Sequence, residues 1–144
     1  PTKAQRGLRR RARLGNTLRM KLRIRNDSLR LRLGQAEVSR IAEGDAVEGC
    51  MHLPDGTEFR YRLEGANDTV ADVVGDGWGL TVRVAADALG DWARGDSVSL
   101  SLQCAGTSAR LDVLIEKDFA CLTARDGNDD ADSFPHPDAG NAAC

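Results

Sequence analysis

Leu29-Arg30-Leu31-Arg32-Leu33 returns 51 residues later as Leu80-Thr81-Val82-Arg83-Val84, with every apolar position matched and Arg32 falling on Arg83. At the same offset Val38 meets Leu89 and Ile41 meets Trp92. Ala42-Glu43-Gly44-Asp45-Ala46-Val47 falls on Ala93-Arg94-Gly95-Asp96-Ser97-Val98. After a one-residue adjustment, Phe59-Arg60-Tyr61-Arg62-Leu63-Glu64 lies over Leu111-Asp112-Val113-Leu114-Ile115-Glu116. Matches in this order are an internal duplication, with copies over about residues 20–64 and 70–116.

Each copy reads as strand, strand, short helix, strand, strand. Leu22 and Ile24 alternate with Lys21, Arg23 and Arg25, the period of a strand with one wet face. Asn26-Asp27-Ser28 has the composition of a turn, and Leu29, Leu31 and Leu33 then alternate with Arg30 and Arg32. From Gln35 to Glu43 the spacing becomes helical, burying Ala36, Val38, Ile41 and Ala42, and Gly44 suits a left-handed helix end. Strands over Val47–Leu53 and Thr57–Leu63 flank the hairpin signal Pro54-Asp55-Gly56. In the second copy, strands at Val70–Val74 and Leu80–Val84 flank Gly75-Asp76-Gly77. A helix over Asp87–Ala93 buries Leu89 and Trp92 and is closed by Gly95; strands at Val98–Leu102 and Ala109–Ile115 turn at Ala105-Gly106. One such unit exposes its edges; two related by a pseudo-two-fold axis bury their apolar faces on each other. The expected fold class is mainly β (α+β): a duplicated, pseudo-two-fold barrel with a C-terminal tail.

The order of elements, with Asn26–Leu33, Glu43-Gly44-Asp45-Ala46-Val47, Asp55-Gly56-Thr57, Gly79–Val84 and Arg94-Gly95-Asp96-Ser97-Val98, resembles the swapped-hairpin proteins of the AbrB and MazE type. The resemblance covers about Met20 to Glu116 and implies both halves of such a dimer fused in one chain. It also implies DNA contact through basic residues near the first hairpin. Separately, K-L-R-I-R…S-L-R-L-R-L with the later K-D-F-x-C-L and F-P-H-P resembles a family of small uncharacterised bacterial proteins, which implies no function.

Charge is strongly segregated. The net charge of -2 hides seven basic residues and no acid in Pro1–Arg19, and five basic residues with Asp27 alone in Met20–Leu33. Residues 1–19 read as a basic unstructured arm or, since Met20 directly precedes the first strand, as a misassigned extension. Lys21, Arg23, Arg25, Arg30 and Arg32 are expected on one solvent face, where like charges repel and call for anions. Nucleic-acid phosphates are one source; carboxylates of neighbouring strands, with Glu48, Glu58 and Glu64 as candidates, are the other. The second copy offers Asp72, Asp76 and only Arg83 at this face, so a two-fold DNA surface would be half missing.

Residues 117–144 form an acidic tail. Asp126-x-Asn128-x-Asp130 opens like a calcium loop but continues with Ala131 and Pro137 where glycine and a bidentate glutamate are needed. Cys121, Asp129, Asp132 and His136 are candidate ligands for a transition metal. Phe119, Leu122 and Phe134 are expected to pack the tail onto the domain, and its aspartates could mask the basic hairpin. Catalysis has little support: no phosphate-binding glycine loop or nucleophile elbow occurs, and neither Asn nor Asp is implied beside the Cys50–His52 pair. Ser97, Ser99 and Ser101 read as the polar face of a strand.

The four cysteines lack disulfide spacing, which suits a reducing cytoplasm, and no apolar run reaches the roughly 20 residues of a membrane helix. The expected function is a non-enzymatic binding module of the DNA-binding or antitoxin type. Its partner would be DNA or an acidic protein surface; it would need no cofactor, and act as a monomer with internal pseudo-symmetry or a weak homodimer. The alternative is a protein-interaction or metal-binding module acting through the tail.

Overall fold

A computed structural model describes residues 20–67, 71–119 and 134–135. Strands β1 (Lys21–Arg25) and β2 (Ser28–Leu33), helix α1 (Gln35–Ala42), and strands β3 (Val47–His52) and β4 (Glu58–Ala66) form the first repeat. Strands β5 (Asp72–Gly75) and β6 (Gly79–Ala85), helix α2 (Ala86–Arg94), and strands β7 (Ser99–Ala105) and β8 (Arg110–Lys117) form the second. Each element of one copy has its counterpart in the other at the expected offset.

The two repeats are not two separate sheets. One sheet has the order β1-β2-β8-β7 and the other β3-β4-β6-β5, so each combines one hairpin from each repeat. We call these sheet A and sheet B. Hairpins β1–β2 and β7–β8 are antiparallel, and they join through the parallel pair β2–β8; β4–β6 is the matching parallel seam of sheet B. Without its partner repeat, β2 and β4 would each leave a row of backbone donors and acceptors unpaired. The expected closed barrel is corrected: there are two four-stranded sheets with β1, β7, β3 and β5 at their edges. Their alternation leaves one face of each sheet wet, the arrangement of two stacked layers.

Between the sheets lies the core. Leu31 faces Ile115 across the seam of sheet A, Val82 faces Leu63 across that of sheet B, and all four are 0% exposed. Val38 and Ile41 of α1 and Leu89 and Trp92 of α2 complete it, and the helices pack on each other. Ile24 departs from expectation. It lies on the inner side of β1 but is 60% exposed, because an edge strand runs past the area its neighbours cover.

Local chemistry accounts for the joints. Arg25 pairs with Ser28, leaving Asn26-Asp27 as a two-residue loop with Asn26 at φ 47, a region asparagine tolerates. Gly44 ends α1 at φ 88 as expected, whereas Gly95 follows α2 in extended backbone, at φ -91 and ψ -174. The Asp55 carboxylate accepts the Thr57 N–H (2.9 Å) and hydroxyl (2.6 Å), and Gly56 takes φ 90, which pins the β3–β4 turn. The Lys117 ammonium is buried, donates to the Gly95 carbonyl at 2.6 Å, and lies 5.6 Å from the Trp92 ring and 5.8 Å from the Phe134 ring. Phe134 also bridges to Phe119 and packs against the core, as expected of the tail; Leu122 lies outside the described residues. No helix among the described residues is long and apolar enough to cross a membrane.

Candidate functional site

Strand register decides which charges share a surface. Lys21 stands opposite Arg32, Arg23 opposite Arg30, and Arg25 opposite Ser28, so the five basic residues expected together occupy one face of sheet A. The parallel seam adds Asp112, Leu114 and Glu116 from β8, and β7 adds Ser99, Ser101 and Gln103. With Arg110, the described part of this outer face carries six basic side chains against the three carboxylates of Asp112, Glu116 and, just past β8, Asp118. The matching face of sheet B carries Arg60, Arg62 and Arg83 against Glu48, Glu58, Glu64 and Asp72. The two faces therefore differ in sign.

Neutralisation on sheet A is partial. Glu116 Oε2 accepts from Arg32 Nε at 3.1 Å and its Oε1 lies 3.5 Å from Arg30 Nε; Lys21 Nζ reaches Asp118 at 2.7 Å. Glu48, Glu58 and Glu64, the expected neutralisers, are corrected to the other sheet. There Glu58 holds Arg60 (2.7 Å), Glu64 holds Arg62 (2.8 Å) and lies 3.7 Å from Arg83, and Glu48 lies 3.7 Å from Arg62. The reason is the exchange of hairpins: the neighbour of the basic hairpin is β8 of the second repeat, not β3 or β4 of its own. Arg23 and Arg25 have no ion pair among the described residues.

One of these pairs belongs to the fold itself. Arg32–Glu116 crosses the seam of sheet A where Arg83–Glu64 crosses the seam of sheet B, at equivalent positions of the repeats. Arg23, Arg25 and Arg30 are different: Val74, Asp76 and Thr81 stand at their places in the second copy, which adopts the same structure. The fold does not require these three arginines. They flank a groove of about 610 Å³ on the outer face, lined also by Ser28, Ser101, Gln103 and Asp112. Hydroxyl and amide groups opposite the guanidinium groups of Arg23 and Arg25, which have no ion pair among the described residues, suit a ligand rich in anionic oxygen.

Sheet B carries a second cluster, missed as a set by sequence reading because Glu58 comes from another strand. Cys50 and His52 project from β3, and His52 Nε2 stands 3.2 Å from Glu58 Oε1. His52 thus has the Glu58 carboxylate beside it, a neighbour the search for Asn or Asp does not include. Arg60, hydrogen-bonded to Glu58, holds that carboxyl below its usual range. The His52 side chain is 75% exposed, so the cluster lacks the desolvated setting that makes such groups strong catalysts. Cys104 is the contrasting thiol, buried and pushed up in pKa by that burial. The tail ligands Cys121, Asp129, Asp132 and His136 lie outside the described residues.

The model of a family of unknown function, DUF7009, matches residues 20–138. No curated protein matches the chain, and no solved structure does.

Proposed function

For this chain, which belongs to that family of unknown function, we propose a non-enzymatic binding role in which the outer face of sheet A holds the phosphate backbone of DNA. The observation that carries the reading is the surplus of arginine on that face, with Arg23 and Arg25 unpaired among the described residues and not required by the fold. Guanidinium groups match phosphate oxygens in geometry and release counterions on contact. The contacts expected are to backbone rather than bases, because the groove lining offers no aromatic side chain for stacking. We also infer that the two repeats stand in for the two subunits of an AbrB/MazE-type swapped-hairpin dimer. Hairpins drawn from both repeats into each sheet support this relation. The charge asymmetry between the sheets then makes the surface one-sided.

Titration of the full chain with a random DNA duplex tests the proposal. Binding is expected in low salt and weakens as salt rises, with a log–log slope of about -2 to -3 for two to three phosphates neutralised. Replacing Arg23 and Arg25 together by glutamate should lower affinity at least about tenfold. Stability should stay within about 0.5 kcal/mol, since both are exposed and an apolar and an acidic residue stand at the equivalent places. Glu116→Gln should act in the opposite direction: it frees Arg30 and Arg32 and should raise duplex affinity several-fold. Its own cost to stability is about 0–1 kcal/mol, because both guanidinium partners are more than a third exposed. Failure of the unaltered chain to bind duplex in low salt would overturn the DNA reading, and capture of an acidic protein by the same arginines would replace it.

A further inference from the structure

We propose that Cys50, His52 and Glu58 form a binding site for a divalent transition-metal ion of the zinc type on the outer face of sheet B. Cys50 and His52 are two residues apart on β3 and so share a face, while Glu58 stands directly opposite His52 on β4. One donor atom from each lies within 4.8 Å of the other two. His52 Nε2 and Glu58 Oε1 are 3.2 Å apart. Two ligands of a tetrahedral zinc ion, with bonds of about 2.0–2.2 Å, stand about 3.3 Å apart, so this pair already has the required separation. The Cys50 sulfur lies within 4.8 Å of the other two donors, is exposed and turns on a single torsion.

The surroundings orient the donor groups. Arg60 occupies the other carboxylate oxygen, Oε2, and so orients Glu58 while leaving Oε1 to the ion. The turn pinned by Asp55 and Thr57 fixes the register that sets His52 against Glu58. At the positions equivalent in strand register the second repeat has Gln103, Ala105 and Arg110, with Arg110 hydrogen-bonded to Gln103. The fold is therefore satisfied without this donor set.

A thiolate, an imidazole and a carboxylate select zinc, cobalt or copper over calcium and magnesium. Binding releases the Cys50 thiol proton to solvent. Three protein ligands leave the fourth position for water or a partner's donor group.

Titration of the reduced full-length chain with cobalt(II) alone tests the site. The expected result is a thiolate-to-cobalt charge-transfer band with the visible bands of tetrahedral cobalt, bleached by added zinc. C50S should abolish the charge-transfer band, and H52N should weaken binding at least about tenfold. A variant carrying C121S and H136N should keep the full spectrum, which separates this site from the tail. Absence of the band in the unaltered chain, its survival in C50S, or its loss in the tail variant would each overturn the proposal.

Discussion

Truncation of Ile115 to alanine should cost about 2–5 kcal/mol, a large part of the roughly 5–15 kcal/mol that holds a domain of this size folded. Ile115 is 0% exposed and faces Leu31 across the parallel seam of sheet A, so truncation leaves a cavity in the core. The melting temperature should fall by roughly 10 °C or more. Leu63→Ala, at the equivalent place in sheet B, should cost the same amount within about 1 kcal/mol, because its environment repeats that of Ile115. Ile24→Ala, on an inner position but at an exposed edge, should cost less than about 0.5 kcal/mol.

These variants also probe cooperativity. Each sheet draws a hairpin from both repeats, so neither repeat can leave the structure alone. Urea transitions followed by far-ultraviolet circular dichroism and by the fluorescence of buried Trp92 should therefore coincide in the wild type and in both core variants. Two separated transitions would mean that the repeats fold as independent units, and would contradict the exchanged hairpins.

Gly79→Ala should be about as damaging, at about 3 kcal/mol, through overpacking rather than a cavity. A Cβ at Gly79 would sit far inside contact distance of the Arg60 carbonyl oxygen on the neighbouring strand. The obstacle is backbone, so relief requires β4 and β6 to part where Arg60 N–H donates to the Trp78 carbonyl at 3.1 Å. Gly75→Ala is the control, since its Cβ would meet nothing closer than 3.8 Å, and should cost no more than about 1 kcal/mol. Equal losses for the two glycines in thermal or urea denaturation would show that the contact with Arg60 is not the cause.

Gly79 also marks where sequence reasoning reaches its end. Its counterpart is Ser28, and the backbone bond from Asp112 N–H to the Asp27 carbonyl (3.0 Å) repeats the one from Arg60 to Trp78. Alignment of the repeats alone would call a small side chain harmless at residue 79. Only the approach of the two strands in sheet B reveals the collision. The same holds for Glu58: its nearness to His52 is a cross-strand relation set by a turn, whereas Cys50 and His52 can be placed on one face by counting residues.

What the chain states locally is the duplication, the alternation that makes Leu29, Leu31 and Leu33 inner and Arg30 and Arg32 outer, and the turn and helix-end residues. These follow from backbone periods of two and 3.6 residues, so they are readable without knowing any neighbour. The concentration of arginine on one hairpin is equally local, and so is its loss in the second copy. The neighbours themselves were decided by tertiary structure. Parallel seams join strands far apart in sequence, and their register depends on how both apolar faces fit one core, which no local period encodes. That choice gave Glu116 to Arg30 and Arg32, gave Asp118 to Lys21, and sent Glu48, Glu58 and Glu64 to the opposite sheet. It thereby left Arg23 and Arg25 as the unpaired charges, among the described residues, on which the proposed function rests.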